Sequence, residues 1–258
     1  MLFLGSDLDI CVIIPTYNER ENITELVTQI LDLDVKPRVI VVDDNSPDGT
    51  GQLADSLAEQ YPGRVKVIHR RGKLGLGTAY MAGFREGLAT GADMLITMDA
   101  DFSHDPAYIP ALVALASRFH ITIGSRYVPQ GGVRNWEAQR RFLSWGANLF
   151  ARTTLGLKAQ DCTAGFRCYH REVLLKIDLD RIFSDGYSFL VEMLFRCQRQ
   201  GFTVGEIPII FANRTRGQSK ISKQEIYKAM YTVMRLFMTR LLRPRQPIDV
   251  SRLPSQTE

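Results

Sequence analysis

Four short apolar runs, each halted by a polar loop and followed by residues at helical spacing, constrain this chain more than any other feature. Ile10–Ile14 and Val39–Val42 are continuous rather than alternating, the pattern of strands covered on both faces, and Val65–Ile68, interrupted by Lys66, and Leu95–Met98, interrupted by Thr97, read as the third and fourth strands. After the first run Ile23, Leu26, Val27, Ile30 and Leu31 recur at helical spacing, with Asn22 placed to cap them. A second helix is expected to about Gln60 and a third from about Thr78 to Leu88. Strand, loop and helix in repetition predict an α/β fold whose central, mostly parallel sheet is flanked by helices. Downstream, Ile121–Ser125 reads as a fifth strand, Glu137–Leu155 as a helix and Gly131-Gly132 as a flexible turn. Asp161–Arg167 is expected to be a loop entering a short edge segment. Gly186–Arg199 reads as a helix with Glu192 in the cleft, and Glu206–Phe211 as a late strand.

In parallel sheets ligands bind beyond the carboxyl ends of the strands, which gathers Pro15–Glu19, Asp43–Thr50 and Asp99–Asp105 on one rim. Tyr17 could stack on a base, and Glu19 and Asp44 could accept hydrogen bonds from base or ribose. Asp99 and Asp101 project to one side of an extended segment, and two carboxylates so close call for a hard cation, Mg2+ or Mn2+, with diphosphate oxygens completing its shell. One Asp-x-Asp is commonplace, but acids at three successive strand ends exceed what solvation requires. Arg126 ends the fifth strand, and Arg140 and Ser144 lie one turn apart on the next helix. The guanidinium groups suit a second phosphate. The basic loop with Arg214 and Lys220 could close over the diphosphate. Two imitations fail: Asp44–Gly49 starts like an EF-hand loop but contains Pro47, and Gly75-Leu76-Gly77 has Tyr80 where a dinucleotide fingerprint needs its last glycine.

At 258 residues the chain suits one large domain or two small ones, and its net charge of +4 is too small to argue for nucleic acid on its own. No run of about 18 apolar residues offers a membrane span, and the first residues lack a signal-peptide pattern. The four cysteines show no Cys-x-x-Cys spacing, which predicts reduced thiols in a cytoplasmic protein. The last helix, Gln224 to about Leu242, carries an apolar stripe flanked by Lys and Arg, as a helix lying on a membrane or on a partner does; packing on its own domain competes. Residues 1–221 are expected to form the main domain, 222–243 a basic amphipathic helix and 244–258 a disordered tail.

Pro15-Thr16-Tyr17-Asn18-Glu19, Asp43–Thr50, Leu74–Tyr80, Met98–His104, Gly124-Ser125-Arg126-Tyr127 and Gly217-Gln218-Ser219-Lys220 fall in this order. Together they resemble the dolichol-phosphate mannose synthases, within the family 2 glycosyltransferases of GT-A fold, in a short form without membrane spans. The resemblance implies a single GT-A, Rossmann-like domain that transfers mannose with inversion from GDP-mannose to dolichyl or polyprenyl phosphate, peripherally associated with the membrane. It implies nucleotide-sugar contacts at Pro15, Tyr17, Glu19, Val42, Asp44, Asp99, Ala100, Asp101, Arg126, Arg214 and Lys220, and lipid-phosphate contacts at Arg126, Arg140 and Ser144. Asp99, Asp101 and Arg126 are then the catalytic set, with Asp99, Asp101 and Ser103 on Mg2+ or Mn2+, although Ser103 stands where some members carry Gln. Asn45 replaces a common Gly, which Asn tolerates at positive φ. A small membrane-anchoring subunit or self-association would fit the same reading. Three alternatives stay open: a UDP-glucose enzyme on the same acceptor, a hydroxyl acceptor served by Asp161, Asp185 or Glu192 as base, and a non-catalytic nucleotide-sugar binding module.

Overall fold

The computed structural model describes residues 8–186, 188–212 and 223–242, the side chains of the last segment from Tyr227 onward. The expected alternation is present as β1 (Ile10–Thr16), α1 (Ile23–Leu31), β2 (Arg38–Asp43), α2 (Thr50–Gln60), β3 (Val65–His69), α3 (Leu76–Ala89) and β4 (Met94–Thr97). A 3-10 turn at Pro106–Tyr108 then leads to α4 (Ile109–Ala116) and β5 (Ile121–Ser125). There follow β6 (Gly132–Val133), α5 (Ala138–Leu155), β7 (Arg167–His170), α6 (Arg171–Lys176), α7 (Ser188–Arg199), β8 (Val204–Pro208), β9 (Ile210–Phe211) and α8 (Lys223–Leu242).

Seven strands form one sheet in the order β3-β2-β1-β4-β7-β5-β8. All neighbours run parallel except β7, which is antiparallel to both β4 and β5. Its place corrects the expected edge segment: β7 is interior, and Arg167, Cys168 and Tyr169 are buried. A four-residue strand reveals its local conformation but not which neighbours flank it. The late strand is also split, β8 extending the main sheet while β9 pairs with β6, so Gly132 belongs to a strand rather than to a flexible turn.

Each face of the sheet has its own core, which explains why β1 reads as an unbroken apolar run. Cys11 and Ile13 pack with α3, α5, α7 and α8, whereas Ile10, Val12 and Ile14 pack with α1, α2 and α4. Helix α3 lies so close on the sheet that a Cβ on Gly83 would stand 2.3 Å from Ile13 Cγ2, and one on Gly87 2.6 Å from Leu95 Cδ2. Asn22 occupies the N-cap of α1 without a capping side-chain bond; its amide donates to Glu19 Oε2 at 2.8 Å instead. All four cysteines are free and buried, and burial pushes each thiol up to about 12, which leaves them unreactive near neutrality.

Helix α8 packs on α7 and α5. Thr232, Val233 and Leu236 turn inward, while Tyr227, Tyr231, Met234, Met238 and Leu241 are exposed. Among the described residues no helix is long and apolar enough to cross a membrane.

Candidate active site

The first two rim loops are knitted into one floor. The backbone N–H groups of Asn18, Glu19 and Arg20 donate to Ser46 Oγ (3.1 Å), Thr50 Oγ1 (3.0 Å) and Asp48 Oδ2 (3.1 Å). Asp43 serves this scaffold, its Oδ1 accepting from Thr16 Oγ1 at 2.9 Å and Ser46 Oγ at 2.6 Å. Asn45 takes φ 58°, the left-handed conformation anticipated for it. Asp48 is held below the usual carboxylate range: burial would raise it, but hydrogen bonds from Thr50 and Arg20 outweigh that effect.

Asp44, the neighbour of Asp43, faces the Gly-rich loop. Its Oδ2 accepts the Leu74 N–H at 3.1 Å, and Arg70 Nη1 lies 2.8 Å from Oδ1. That approach is an ion pair without hydrogen-bond alignment, so buried Oδ1 has no hydrogen-bond donor and keeps lone pairs for a ligand. Burial raises the Asp44 carboxyl against the opposing pull of Arg70. Arg70 therefore holds Asp44 and, through Thr78 Oγ1 at 2.5 Å, the start of α3. Tyr17 is exposed, with Lys73 Nζ 4.3 Å from its ring centre. Pro15 and Glu19 are half-buried beside it, whereas Val42 packs into the core.

At the third loop the backbone folds sharply. Phe102 adopts φ 58°, an uncommon conformation for a bulky residue, and Asp101 Oδ1 accepts both the Ser103 N–H (3.1 Å) and Ser103 Oγ (2.5 Å). The Ser103 proton is thus engaged by Asp101. Asp99 Oδ1 accepts from Tyr80 Oη at 3.1 Å, and the Asp99 N–H donates to His104 Nδ1 at 3.1 Å. An Nδ1 that accepts must be unprotonated, so His104 is the neutral Nε2–H tautomer. Burial lowers its pKa in the same sense, against the pull of Asp99 and Asp101. Ala100 is buried between the two acids. Among the described residues no three His, Cys, Asp or Glu side chains converge as a metal cage. The oxygens of Asp99 and Asp101 nevertheless fit a hard cation that takes its remaining ligands from phosphate.

A second cluster forms beyond β5. Arg126 donates through Nε to Asp161 Oδ2 (2.7 Å) and through Nη2 to Asp161 Oδ1 (2.8 Å) and Thr163 Oγ1 (2.7 Å). Burial opposes the charge of Arg126, but Asp161 more than compensates and holds its pKa above the ordinary value. Conversely, Asp161 is lowered because the charge and hydrogen bonds of Arg126 outweigh its burial. Trp136 lies between two guanidinium groups, Arg140 at 4.1 Å and Arg126 at 5.8 Å from ring centre to Cζ. Ser144 Oγ meets Tyr127 Oη at 2.9 Å. Arg126, whose guanidinium lies 5.3 Å from the Tyr127 ring centre, is thus brought near Arg140 and Ser144 through Trp136 and Tyr127. Arg214 and Lys220 lie outside the described residues.

The three acids considered as bases stand differently. Asp161 is engaged with Arg126, and Glu192 is wholly buried rather than in the cleft, accepting from Ser184 and Phe183 and pairing with Arg196. Asp185 is about half exposed, 4.0 Å from Lys228. Sequence reasoning missed Tyr80, His104 and Trp136, and weighed Arg70 only as a phosphate contact or a solvated residue, whereas it pairs with Asp44. His104 carried a signal as the last residue of the aspartate run, but Tyr80 carried none, because it reaches Asp99 across the fold.

A model of glycosyl transferase family 2 matches residues 11–178. Over 223 residues the chain is 49% identical to the polyprenol monophosphomannose synthase of Mycolicibacterium smegmatis, covering 86% of this chain and 84% of that protein. It is 46% identical over 226 residues to the undecaprenyl-phosphate mannosyltransferase of Micrococcus luteus, covering 88% and 93%. Among solved structures, glucosyl-3-phosphoglycerate synthase from Mycobacterium tuberculosis in complex with Mn2+, UDP and glucosyl-3-phosphoglycerate superposes with TM-score 0.62 at 20% identity, covering 93% of this chain and 82% of that one. Its complex with Mg2+ and UDP gives TM-score 0.63 at 21% identity, covering 93% and 81%. At such identities the likeness is one of fold.

Proposed function

Because the chain belongs to glycosyl transferase family 2, we propose that it transfers mannose from GDP-mannose to a polyprenyl phosphate with inversion at the anomeric carbon. The observation that carries this reading is the extent of the two relatives' similarity: at 49% and 46% identity it spans 84% and 93% of proteins named for mannosyl transfer to a polyprenol carrier.

Each cluster then has a task. Asp44 and Glu19 accept hydrogen bonds from the nucleoside, with Tyr17 beside the base. Asp99 and Asp101 hold the divalent cation, Mg2+ or Mn2+, which when bound offsets charge developing on the departing diphosphate. Tyr80 and Ser103 orient these carboxylates, and His104 positions the Asp99 backbone. Arg126, Arg140 and Ser144 receive the acceptor phosphate. Asp161 neutralises Arg126, while Arg126 Nη1, with no hydrogen-bond partner among the described residues, supplies directional donors.

A lipid phosphate with its second pKa near about 6 is mostly dianionic at pH 7 and attacks without a general base. Of the three acids considered as bases for a hydroxyl acceptor, Asp161 and Glu192 are engaged by arginines and only Asp185 stays half exposed. The acceptor resides in a membrane and no described helix crosses one, so residues 1–221 act as a catalytic domain working peripherally.

The test is incubation of purified protein with radiolabelled GDP-mannose or UDP-glucose, Mg2+ or Mn2+, and a short-chain polyprenyl phosphate. Label from GDP-mannose should enter the solvent-extractable product only when cation and acceptor are both present. Transfer from UDP-glucose alone would replace the donor assignment, and GDP binding without transfer would support a non-catalytic module.

A further inference from the structure

Trp136 holds a buried donor without an acceptor: its Nε1–H is shielded from water and has no hydrogen-bond partner among the described residues. Buried polar groups are paired as a rule, so the exception calls for a reason. The chain leading to it is firmly placed. β6 pairs in parallel with β9, the Arg134 N–H reaches the Phe211 carbonyl at 2.8 Å, and Asn135 then turns the backbone at φ 59°, which Asn tolerates better than most residues. The turn sets the Trp136 ring in T-shaped contact with Phe211, 5.5 Å away at 81°.

The ring lies against the two arginines proposed for the acceptor. Arg140 Cζ stands 4.1 Å from its centre and Arg126 Cζ 5.8 Å, and Tyr127 and Phe211 complete an aromatic enclosure of Arg126 at 5.3 and 5.5 Å. A guanidinium over an indole is drawn by the ring quadrupole, more strongly where water is excluded, and its flat shape stacks there as an ammonium would not. One side chain therefore orients both arginines. Asp161 and Thr163 already engage Nε and Nη2 of Arg126. Arg126 Nη1 and Trp136 Nε1 are left without a partner among the described residues, and a phosphate, with acceptor oxygens on every side, can take both. Packing alone would be served as well by phenylalanine, which has no N–H to bury unpaired at a cost.

We infer that Trp136 is a further residue of the acceptor-phosphate site: its face positions Arg140 and Arg126, and its Nε1–H donates to a phosphate oxygen. The inference rests on the lipid-phosphate reading above and adds to it an uncharged donor held in an aromatic frame.

The experiment uses Trp136→Phe, which keeps an aromatic face without the N–H, and Trp136→Leu, which removes both. Mannosyl transfer to farnesyl phosphate gives acceptor KM and kcat, and calorimetry gives GDP affinity in the presence of Mn2+. Acceptor KM should rise about tenfold in Trp136→Phe, the effect of one hydrogen bond to a charged group. In Trp136→Leu it should rise about threefold further, the effect of a cation–π contact, with kcat and GDP affinity near wild type in both. A second measurement needs no transfer. Trp145→Phe leaves Trp136 as the single tryptophan of the two in the chain, and its emission should change saturably with farnesyl phosphate, and with inorganic phosphate at higher concentration, but not with farnesol. A wild-type acceptor KM in Trp136→Phe would overturn the inference and leave the function standing. An equal loss of GDP affinity would also overturn it, as the mark of a merely structural role, and so would a response to farnesol that matches farnesyl phosphate. A phosphate-dependent emission change in a protein that transfers no mannose would support the site and overturn the mannosyl reading instead.

Discussion

Arg126 and Asp161 are locked by two parallel hydrogen bonds, Nε to Oδ2 at 2.7 Å and Nη2 to Oδ1 at 2.8 Å, and the Arg126 backbone N–H adds a third at 3.0 Å. The acid is wholly buried and the guanidinium 9% exposed, so neither can lose its partner cheaply.

Removing the acid should therefore destabilise the fold more than removal of a surface ion pair would. Asp161→Asn leaves a buried guanidinium unpaired, a loss of roughly 3–5 kcal/mol at pH 7, measurable as a lower urea midpoint. The pH dependence has a definite sign. The folded-state pKa of Asp161 is depressed, so its contribution is complete above the ordinary Asp value near about 3.9 and is lost as pH falls through the folded value. The gap between wild type and Asp161→Asn should narrow below about pH 4. A gap that stayed constant to pH 2.5 would show that the ionised pair is not its source. At neutral pH Arg126→Lys, which keeps the charge without the fork, should raise acceptor KM about tenfold and leave GDP affinity unchanged.

At the aspartate loop the two oxygen-bearing neighbours should separate by size of effect. Asp101→Ala removes a carboxylate proposed to hold the cation and should abolish transfer at any cation concentration. Ser103→Ala removes the hydroxyl that donates to Asp101 Oδ1 at 2.5 Å and should weaken cation affinity by about 10–100-fold, recoverable with excess Mn2+. Cation titration of the rate distinguishes them. A Ser103→Ala enzyme that excess Mn2+ fails to rescue would instead place the hydroxyl directly among the ligands.

Tyr80→Phe examines the contact that sequence could not reveal. Its hydroxyl lies 3.1 Å from Asp99 Oδ1, and the ring stacks between Phe84 at 6.4 Å and Phe189 at 6.1 Å. The ring is retained in the variant, so stability should change by only about 1 kcal/mol. The rate should fall about tenfold, because Asp99 loses an orienting hydrogen bond. An unchanged rate would leave Tyr80 a packing residue.

The architecture was legible where local pattern decides it. Unbroken apolar runs marked β1 and β2, whose two faces are covered, short apolar stretches interrupted by Lys66, Thr97 and Thr122 marked β3, β4 and β5, and the polar residues after them marked the rim. The placement of β7 was not legible: Arg167–His170 pairs with β4 and β5 in the sheet interior, where the buried Arg167 is satisfied by the carbonyls of Ala164, Cys162 and Leu190 at 2.7–2.8 Å. Acids appeared at the strand ends, but the division of labour between adjacent Asp43 and Asp44 did not. One turns to Thr16 and Ser46 and the other to Arg70 and Leu74, a difference made by the loops opposite.

Close packing of α3 on the sheet should make Gly83 intolerant. A methyl there would meet Ile13 Cγ2 at 2.3 Å, a contact in the middle of the core that no flexible side-chain tip can relieve. Gly83→Ala should destabilise by about 1–3 kcal/mol, although alanine is the better helix former by about 1 kcal/mol. Thermal denaturation measures the balance. A more stable variant would mean that α3 can lift from β1 without cost.

Asp44 offers the most direct test of the nucleotide floor. Its buried Oδ1 lacks a hydrogen-bond donor although Arg70 Nη1 is 2.8 Å away, so a ribose or base donor would complete it. Asp44→Asn replaces a charged acceptor by a neutral one of the same shape and should weaken GDP binding about 10–100-fold, the range of a hydrogen bond to an ionised group. Arg70→Met acts on the same acid through its protonation. Burial already raises the Asp44 carboxyl and Arg70 opposes that rise, so without the cation the carboxyl should protonate at higher pH and GDP affinity should begin to fall at a higher pH than in wild type as pH is lowered. Calorimetric titrations of GDP at several pH values read both effects. Equal affinity in wild type and Asp44→Asn would remove Asp44 from the nucleotide site and leave its contact with Leu74 as a purely structural tie.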